Sequence, residues 1–315
     1  MREPTPLFTL LGIACYPYGA ALALGLLLAA LMAMASFRKA FGAAEDGLRF
    51  SLWALPLGFV GARLGYCAVK ASFIAVDFGP AFLYHFGLGG YSMAGAFVGV
   101  LAAAALFGRI TRRGWLPTMG AAMPALLLAA ALGRFAECLT TEGIGEYMDN
   151  PFWQFFPFAV PDLYGDLRFP VFVWEGLTAL VLCALVWRCL RRPQDAALTG
   201  MLLFALTQVF WESLRRDGFL RFGFVRVNQL WCAVMLAAVT AVWLLRARPS
   251  RVVVAGSVLG LAAGIGALVA LEFAFDKSPI DNRILYAVMA AVLAAMGAGL
   301  LSLRRRALGK EAAHA

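Results

Sequence analysis

Five charged residues stand inside or at the edges of apolar stretches. Arg63 lies in GARLGY, Arg134 and Glu137 in LLLAAALGRFAECLTTEGIG (residues 126–145), Glu175 in FVWEGL, and Glu212 in VFWESLRRD. A charge at mid-bilayer costs about 2.5–3.5 kcal/mol on insertion scales, so such residues face a bundle interior and pair. Arg134 and Glu137 are three residues apart and share a helical face; Glu212 and Arg215 repeat that spacing in reverse order. A guanidinium fork binds phosphate or carboxylate bidentately, and a buried carboxylate can take up a proton. Any one such pair is explained as an ion pair fixing helix register. So many in a chain with only 14% charged residues suggest a polar cavity inside the membrane. Arginines within apolar walls suit an anionic phospholipid, its head on the guanidiniums and its acyl chains among the helices.

The elements that must carry these residues are membrane helices. The chain has 315 residues and is 62% hydrophobic, whereas soluble domains are roughly half apolar and about a quarter charged. Stretches of about 20 apolar residues recur, the length that crosses hydrocarbon. The fold expected is therefore an all-α polytopic membrane protein with nine spans, at 12–35, 50–69, 92–108, 118–137, 170–188, 197–214, 227–245, 252–273 and 284–303. The first span is long and followed by others, so a cleavable leader is not expected.

The net charge of +9 does not point to nucleic acid, because the basic residues cluster at span ends, as in WRCLRRP and LSLRRRALGK. Lys and Arg number sixteen in the connections on one side and nine on the other, which places the N-terminus outside and the C-terminus in the cytoplasm. Arg134, Glu137, Glu175, Glu212 and Arg215 then share the outer half of the bilayer. The six cysteines are scattered without CxxC spacing and read as small apolar residues. With only His85 and His314, a histidine-rich metal site is excluded, and no metal or other cofactor is expected.

Two outward loops stand out. Residues 215–226, RRDGFLRFGFVR, carry four arginines on the side the positive-inside rule disfavours. Either they anchor on lipid headgroups or they serve an anionic ligand. Residues 138–169 are long, acidic and aromatic, a composition that suits the headgroup region and a length usual for functional loops. Glu272 and Asp276, between the last two spans, read as solvated.

An ordered series of motifs over roughly residues 12–245 resembles the bacterial prolipoprotein diacylglyceryl transferases. YPYGAAL looks like the family's first-span Tyr-Gly, at Tyr18 and Gly19. GARLGY matches its Gly-x-Arg-x-Gly-Tyr, and GLGGYSMAGAFVG resembles Gly-Gly-x-Ser-x-His-Gly-Gly. GRFAECLTTEGIG resembles the signature Gly-Arg-x-x-Asn-x-x-Asn-x-Glu-x-x-Gly, keeping Gly133, Arg134, Glu142 and Gly145. FPVFVWEG keeps Pro170 and Glu175, VFWESLRRD keeps Glu212 and Arg215, and RVNQLW loosely echoes a Met-Gly-Gln segment.

The resemblance implies a bacterial inner-membrane enzyme that moves the diacylglyceryl group of phosphatidylglycerol onto the lipobox cysteine thiol of a secreted lipoprotein precursor, releasing glycerol phosphate. It implies catalytic roles for Arg134, Glu142 and Glu212, and lipid binding by Tyr18, Arg63, Arg134, Gly145, Glu175 and Arg215. Glu137, which the pattern does not supply, is either a carboxylate able to accept the proton in a buried setting or a salt-bridge partner of Arg134. It further implies a transferase core over 1–245, two added spans over 246–303 and a basic cytoplasmic tail over 304–315. The chain departs from the pattern where the motif histidine is Ala94, the two signature asparagines are Glu137 and Thr140, the fifth-span histidine is Phe169, and the arginine before Glu212 is Gln208. In the family that first histidine is a candidate for handling the proton and that arginine is implicated in headgroup binding. The departures motivate an alternative, a paralogue that binds anionic phospholipid without turnover. His85 lies near the third span but outside the motif position.

Overall fold

The computed structural model describes residues 5–10, 13–86, 89–217, 220–222 and 225–313. His314, in the tail, lies outside the described residues. A short antiparallel hairpin of β1 (Phe8–Leu10) and β2 (Ile13–Cys15) leads into α1 (Pro17–Phe41). Pro17 opens that helix, where its missing N–H costs nothing. Gly42 closes it in the left-handed region (φ +77°), its N–H on Arg38 O at 2.8 Å. There follow α2 (Ala44–Val69), the short α3 (Ala71–Asp77), α4 (Met93–Ile110, capped by Ser92) and α5 (Trp115–Ala136). A connection containing the two-stranded β3 (Val160–Pro161) and β4 (Leu167–Arg168) joins α5 to α6 (Val171–Cys189) and α7 (Pro193–Leu214). The last elements are β5 (Arg221–Phe222), β6 (Val225–Arg226), α8 (Val227–Ala247), α9 (Arg251–Lys277) and α10 (Asn282–Ala313).

Among the described residues, nine helices are long and apolar enough to cross a membrane, all but the short α3. Their order matches the nine apolar stretches, and the chain is a polytopic, all-α membrane protein. The helices outrun the expected spans at several ends, because polar and basic residues such as Arg38, Lys39, Arg304 and Arg305 continue the helical hydrogen bonding past the apolar stretch.

By its internal contacts the chain forms two compact units, Met1–Gly200 with Leu214–Asn228, and Met201–Ser213 with Gln229–Ala315. In the first, α5 is central and packs on α1, α4 and α6, with Met119, Met123 and Leu127 buried. The most extensive helix pairing there is α2 with α4, and its sequence explains why. Gly61 and Gly65 face Gly95 and Gly99, two small-xxx-small patterns that bring backbones into contact. A Cβ on Gly99 would stand 2.0 Å from Leu57 O, so the spacing exists only with glycine. This approach fixes the start of α4, including Met93, beside the end of α5.

In the second unit α9 packs on α10, and Trp243, Met289 and Leu236 are buried. Glu272, expected in solvent, is half-buried and accepts from Ser213 Oγ and, at 2.7 Å, from Gln229 Nε2. Its position near the apolar end of α9 makes those polar partners cheaper than leaving the carboxylate bare.

Candidate active site

The end of α5 builds the site. The helix carries Arg134 in its last turn, and a 3-10 turn at Glu137–Leu139 then brings Glu137 back under it. Thr140 Oγ1 donates to Glu137 O at 2.8 Å and accepts from Glu142 N at 3.1 Å, tightening the exit. Gly143 follows with φ +79°, and a Cβ there would lie 2.4 Å from Glu137 Oε2. Only glycine lets the backbone wrap this close to the carboxylate.

Two guanidiniums converge on two shared carboxylates. Arg134 Nη1 donates to Glu137, and its Nε stands 2.7 Å from Glu175 Oε1. Arg215 Nη1 lies 3.1 Å from Glu137 Oε2 and 3.2 Å from Glu175 Oε2. Arg215 Nη2 bonds Asp217 Oδ2 at 2.7 Å, and Asp217 in turn accepts from Gly143 N. Arg134 Nη2 also rests 3.5 Å from Met93 Sδ. Glu137, Glu175 and Arg215 are at most 5% exposed, where charges persist only when paired and hydrogen-bonded. Burial works against the Arg215 proton, but Glu137, Glu175 and Asp217 together hold it more firmly than an ordinary arginine's.

With every group ionised, these two arginines and three carboxylates carry one net negative charge. Glu142 sits on the exposed lip of the cluster. Partial burial, then the nearby charges of Glu137 and Asp217, raise its proton affinity above the usual carboxylate range, against the opposing pull of Arg215 and Arg134. Tyr18, half-buried at the start of α1, is within electrostatic reach of Glu137, Arg134, Glu142 and Arg215. Gly145 is part of the frame: its N–H bonds Phe169 O at 2.8 Å, and a Cβ would meet Leu214 O at 3.0 Å.

The residues singled out in the sequence therefore divide. Tyr18, Arg134, Glu137, Glu142, Glu175 and Arg215 come together, with Gly145 behind them. Arg63 is 3% exposed and spends its guanidinium on backbone carbonyls, those of Phe82, His85 (2.8 Å), Gly89 and Gly90 (3.1 Å), with the Phe82 ring 4.0 Å away. It fastens Phe82, His85, Gly89 and Gly90 to α2. Glu212 belongs to the second unit, where Gln208 Nε2 reaches its Oε2 at 3.4 Å. Because α7 ends at Leu214 and Arg215 is extended (ψ 140°), Arg215 is carried by the chain after the helix and not by the helical face of Glu212. The His85 ring is exposed, its Nδ1 2.7 Å from Ala81 O.

Two members were missed from the sequence, Asp217 and Gly143. Their signals are slight: an acid two residues after Arg215, and a glycine beside the signature glutamate. Three of the outward arginines find their partners among the described residues. Arg215 enters the cluster, Arg216 Nη2 bonds Glu146 at 2.6 Å, and Arg226 is buried with Nη1 3.5 Å from Arg215 O. These three face protein groups. The 138–169 connection is held by Asp162, whose oxygens accept from Arg168 Nε (2.8 Å) and from the backbone of Tyr164 and Asp166. Burial pushes the Asp162 carboxyl up, but these hydrogen bonds outweigh it and hold it below the usual range.

The family model described as prolipoprotein diacylglyceryl transferase matches residues 5–245. A protein of Streptococcus pneumoniae serotype 4 named phosphatidylglycerol–prolipoprotein diacylglyceryl transferase is 29% identical over 229 residues, covering 70% of this chain and 84% of that relative. An Enterococcus faecalis protein of the same name is 28% identical over 254 residues (76% and 90%), and one of Listeria innocua is 24% identical over 228 (70% and 81%).

Proposed function

The chain belongs to the prolipoprotein diacylglyceryl transferase family, and we propose that it transfers the diacylglyceryl group of phosphatidylglycerol to the cysteine thiol of a lipoprotein precursor at the outer face of a bacterial inner membrane. The thiol loses its proton, its sulfur bonds to the glyceryl carbon, and the bond from that carbon to the phosphate oxygen breaks. Glycerol phosphate leaves. The observation that carries this reading is the convergence of Arg134 and Arg215 on Glu137 and Glu175.

As the cluster stands, the arginines are held by acids, so a phosphate competes with carboxylates for the same donors. A proton arriving on Glu142 removes a negative charge beside the cluster, which favours the entry of the leaving phosphate to the guanidiniums. Glu142, on the lip and with raised proton affinity, is the acceptor assigned to the thiol proton; a base nearer to the thiol's own pKa works better than an ordinary carboxylate. Arg134 and Arg215 stabilise the departing phosphate, preorganised charge being strongest where water is excluded. Glu137 and Glu175 orient both guanidiniums, and Tyr18 and Gly145 shape the lipid side. This division of labour needs no histidine at Ala94. Residues 1–245 form the transferase core, and 246–303 add two helices to it.

The test is reconstitution in vesicles of phosphatidylglycerol with a lipobox peptide. The expected result is a diacylglyceryl-cysteine mass and stoichiometric glycerol phosphate. Binding of phosphatidylglycerol with no glycerol phosphate released would instead favour the non-catalytic paralogue.

A further inference from the structure

We infer that Glu272, from the pair of helices beyond the family-matched region, is a positioning residue that fixes the end of α7 from which Arg215 departs. The family model ends at residue 245, while Glu272 lies on α9 and Tyr286 on α10. Both reach the same residue of α7. Ser213 Oγ donates to Glu272 Oε1, and Tyr286 Oη donates to Ser213 O at 3.4 Å. Gln229, on α8, clamps the pair by donating to Ser213 Oγ (3.0 Å) and Glu272 Oε1 (2.7 Å).

Ser213 is 1% exposed and precedes Arg215 by two residues. Its carbonyl is among the last of α7, which the helix itself leaves without a donor; Tyr286 supplies one. The Tyr286 ring is in turn held by Phe275 at 4.4 Å. A carboxylate in an apolar helix is costly unless partnered, and the two partners found for Glu272 are both polar groups of the family-matched helices. The added helices thus send one acid and one phenol to the last turn of α7, and the backbone that carries Arg215 starts from that fixed point. Arg215 bears on catalysis only under the transferase reading, on which this role rests.

The test compares Glu272→Ala, Glu272→Gln and Tyr286→Phe in the full chain, purified in detergent. Hydrogen–deuterium exchange is followed over residues 209–217, and transfer to a lipobox peptide is measured in phosphatidylglycerol vesicles. Glu272→Ala is expected to speed exchange in that segment about tenfold and to lower kcat about tenfold with KM for the peptide within about twofold. Glu272→Gln, which keeps an acceptor, restores most of both. Unchanged exchange at 209–217 in Glu272→Ala overturns the role whatever the activity, as does a loss spread evenly over all helices. Faster local exchange in a chain that shows no transfer even as wild type supports the tie to α7 and defeats the transferase reading instead.

Discussion

Arg215 Nη1 stands 3.1 Å from Glu137 Oε2, a contact between residues 78 apart in the chain. One residue ends α5 and the other follows α7, so the pair closes the site from two directions. Removing one partner of a buried pair leaves the other charge uncompensated and costs about 3–5 kcal/mol. Arg215→Ala should therefore lower the unfolding temperature in detergent markedly. Arg215→Lys keeps the charge but loses the fork that spans Glu137, Glu175 and Asp217, and should retain stability better than activity. Equal loss of both in the lysine variant would contradict the role given to the fork.

Glu142 gives the pH dependence. Its raised proton affinity means that the ionised, proton-accepting form is lost as pH falls through a value above the ordinary glutamate range. The rate of transfer should fall on the acid side with that dependence. Glu142→Gln should lower the rate by about 100- to 10,000-fold, the usual contribution of a general base, and the residual rate should lose its acid limb. A pH–rate profile of both proteins decides it: an acid limb that survives in Glu142→Gln assigns the proton to another group.

Much of this site could be read in the sequence because charge is expensive among apolar residues. Arg134, Glu137, Glu175 and Arg215 were conspicuous for that reason, and the nine spans for the complementary one. Asp217 and Gly143 escaped because they lie in connections, where acids and glycines are common and type carries little information. Arg63 looked like a member of the cluster, since nothing in GARLGY reveals that its acceptors are backbone carbonyls, which every residue has. Glu272 looked solvated because its partners, Ser213 and Gln229, are uncharged and far away in sequence.

Asp162 offers a second pH test away from the chemistry. Its carboxyl is held below the usual range, so its contribution to the connection is present above the unfolded value and is lost as pH falls through the lower folded one. Asp162→Asn cannot accept Arg168 as an ion pair. Proteolysis between residues 147 and 169 should be faster in that variant at neutral pH, and the difference from wild type should shrink as the medium is acidified past the carboxylate range. Equal proteolysis of the two proteins at neutral pH would mean that the hydrogen bonds from Tyr164 and Asp166, which an asparagine oxygen also accepts, do the holding.

The glycines separate positions that look alike in sequence. GxxxG spacing occurs at Gly61 and Gly65, at Gly95 and Gly99, and again at Gly256, Gly260 and Gly264. In the first unit a Cβ on Gly99 would meet Leu57 O at 2.0 Å, and one on Gly61 would meet Gly95 O at 2.4 Å, both unyielding backbone atoms. At Gly256 and Gly260 a Cβ meets nothing within 4 Å. Gly99→Ala must therefore push α2 from α4, at an overpacking cost of about 1–3 kcal/mol, and it displaces the start of α4, where Met93 touches Arg134. Gly260→Ala meets open space and gains helix propensity of up to about 1 kcal/mol. Unfolding temperature should fall in the first variant and hold or rise in the second, and transfer activity should fall only in the first. Equal destabilisation by both would show that the α9 stripe is covered by another surface in the membrane and that spacing alone, not the measured approach of α2 and α4, governs these glycines.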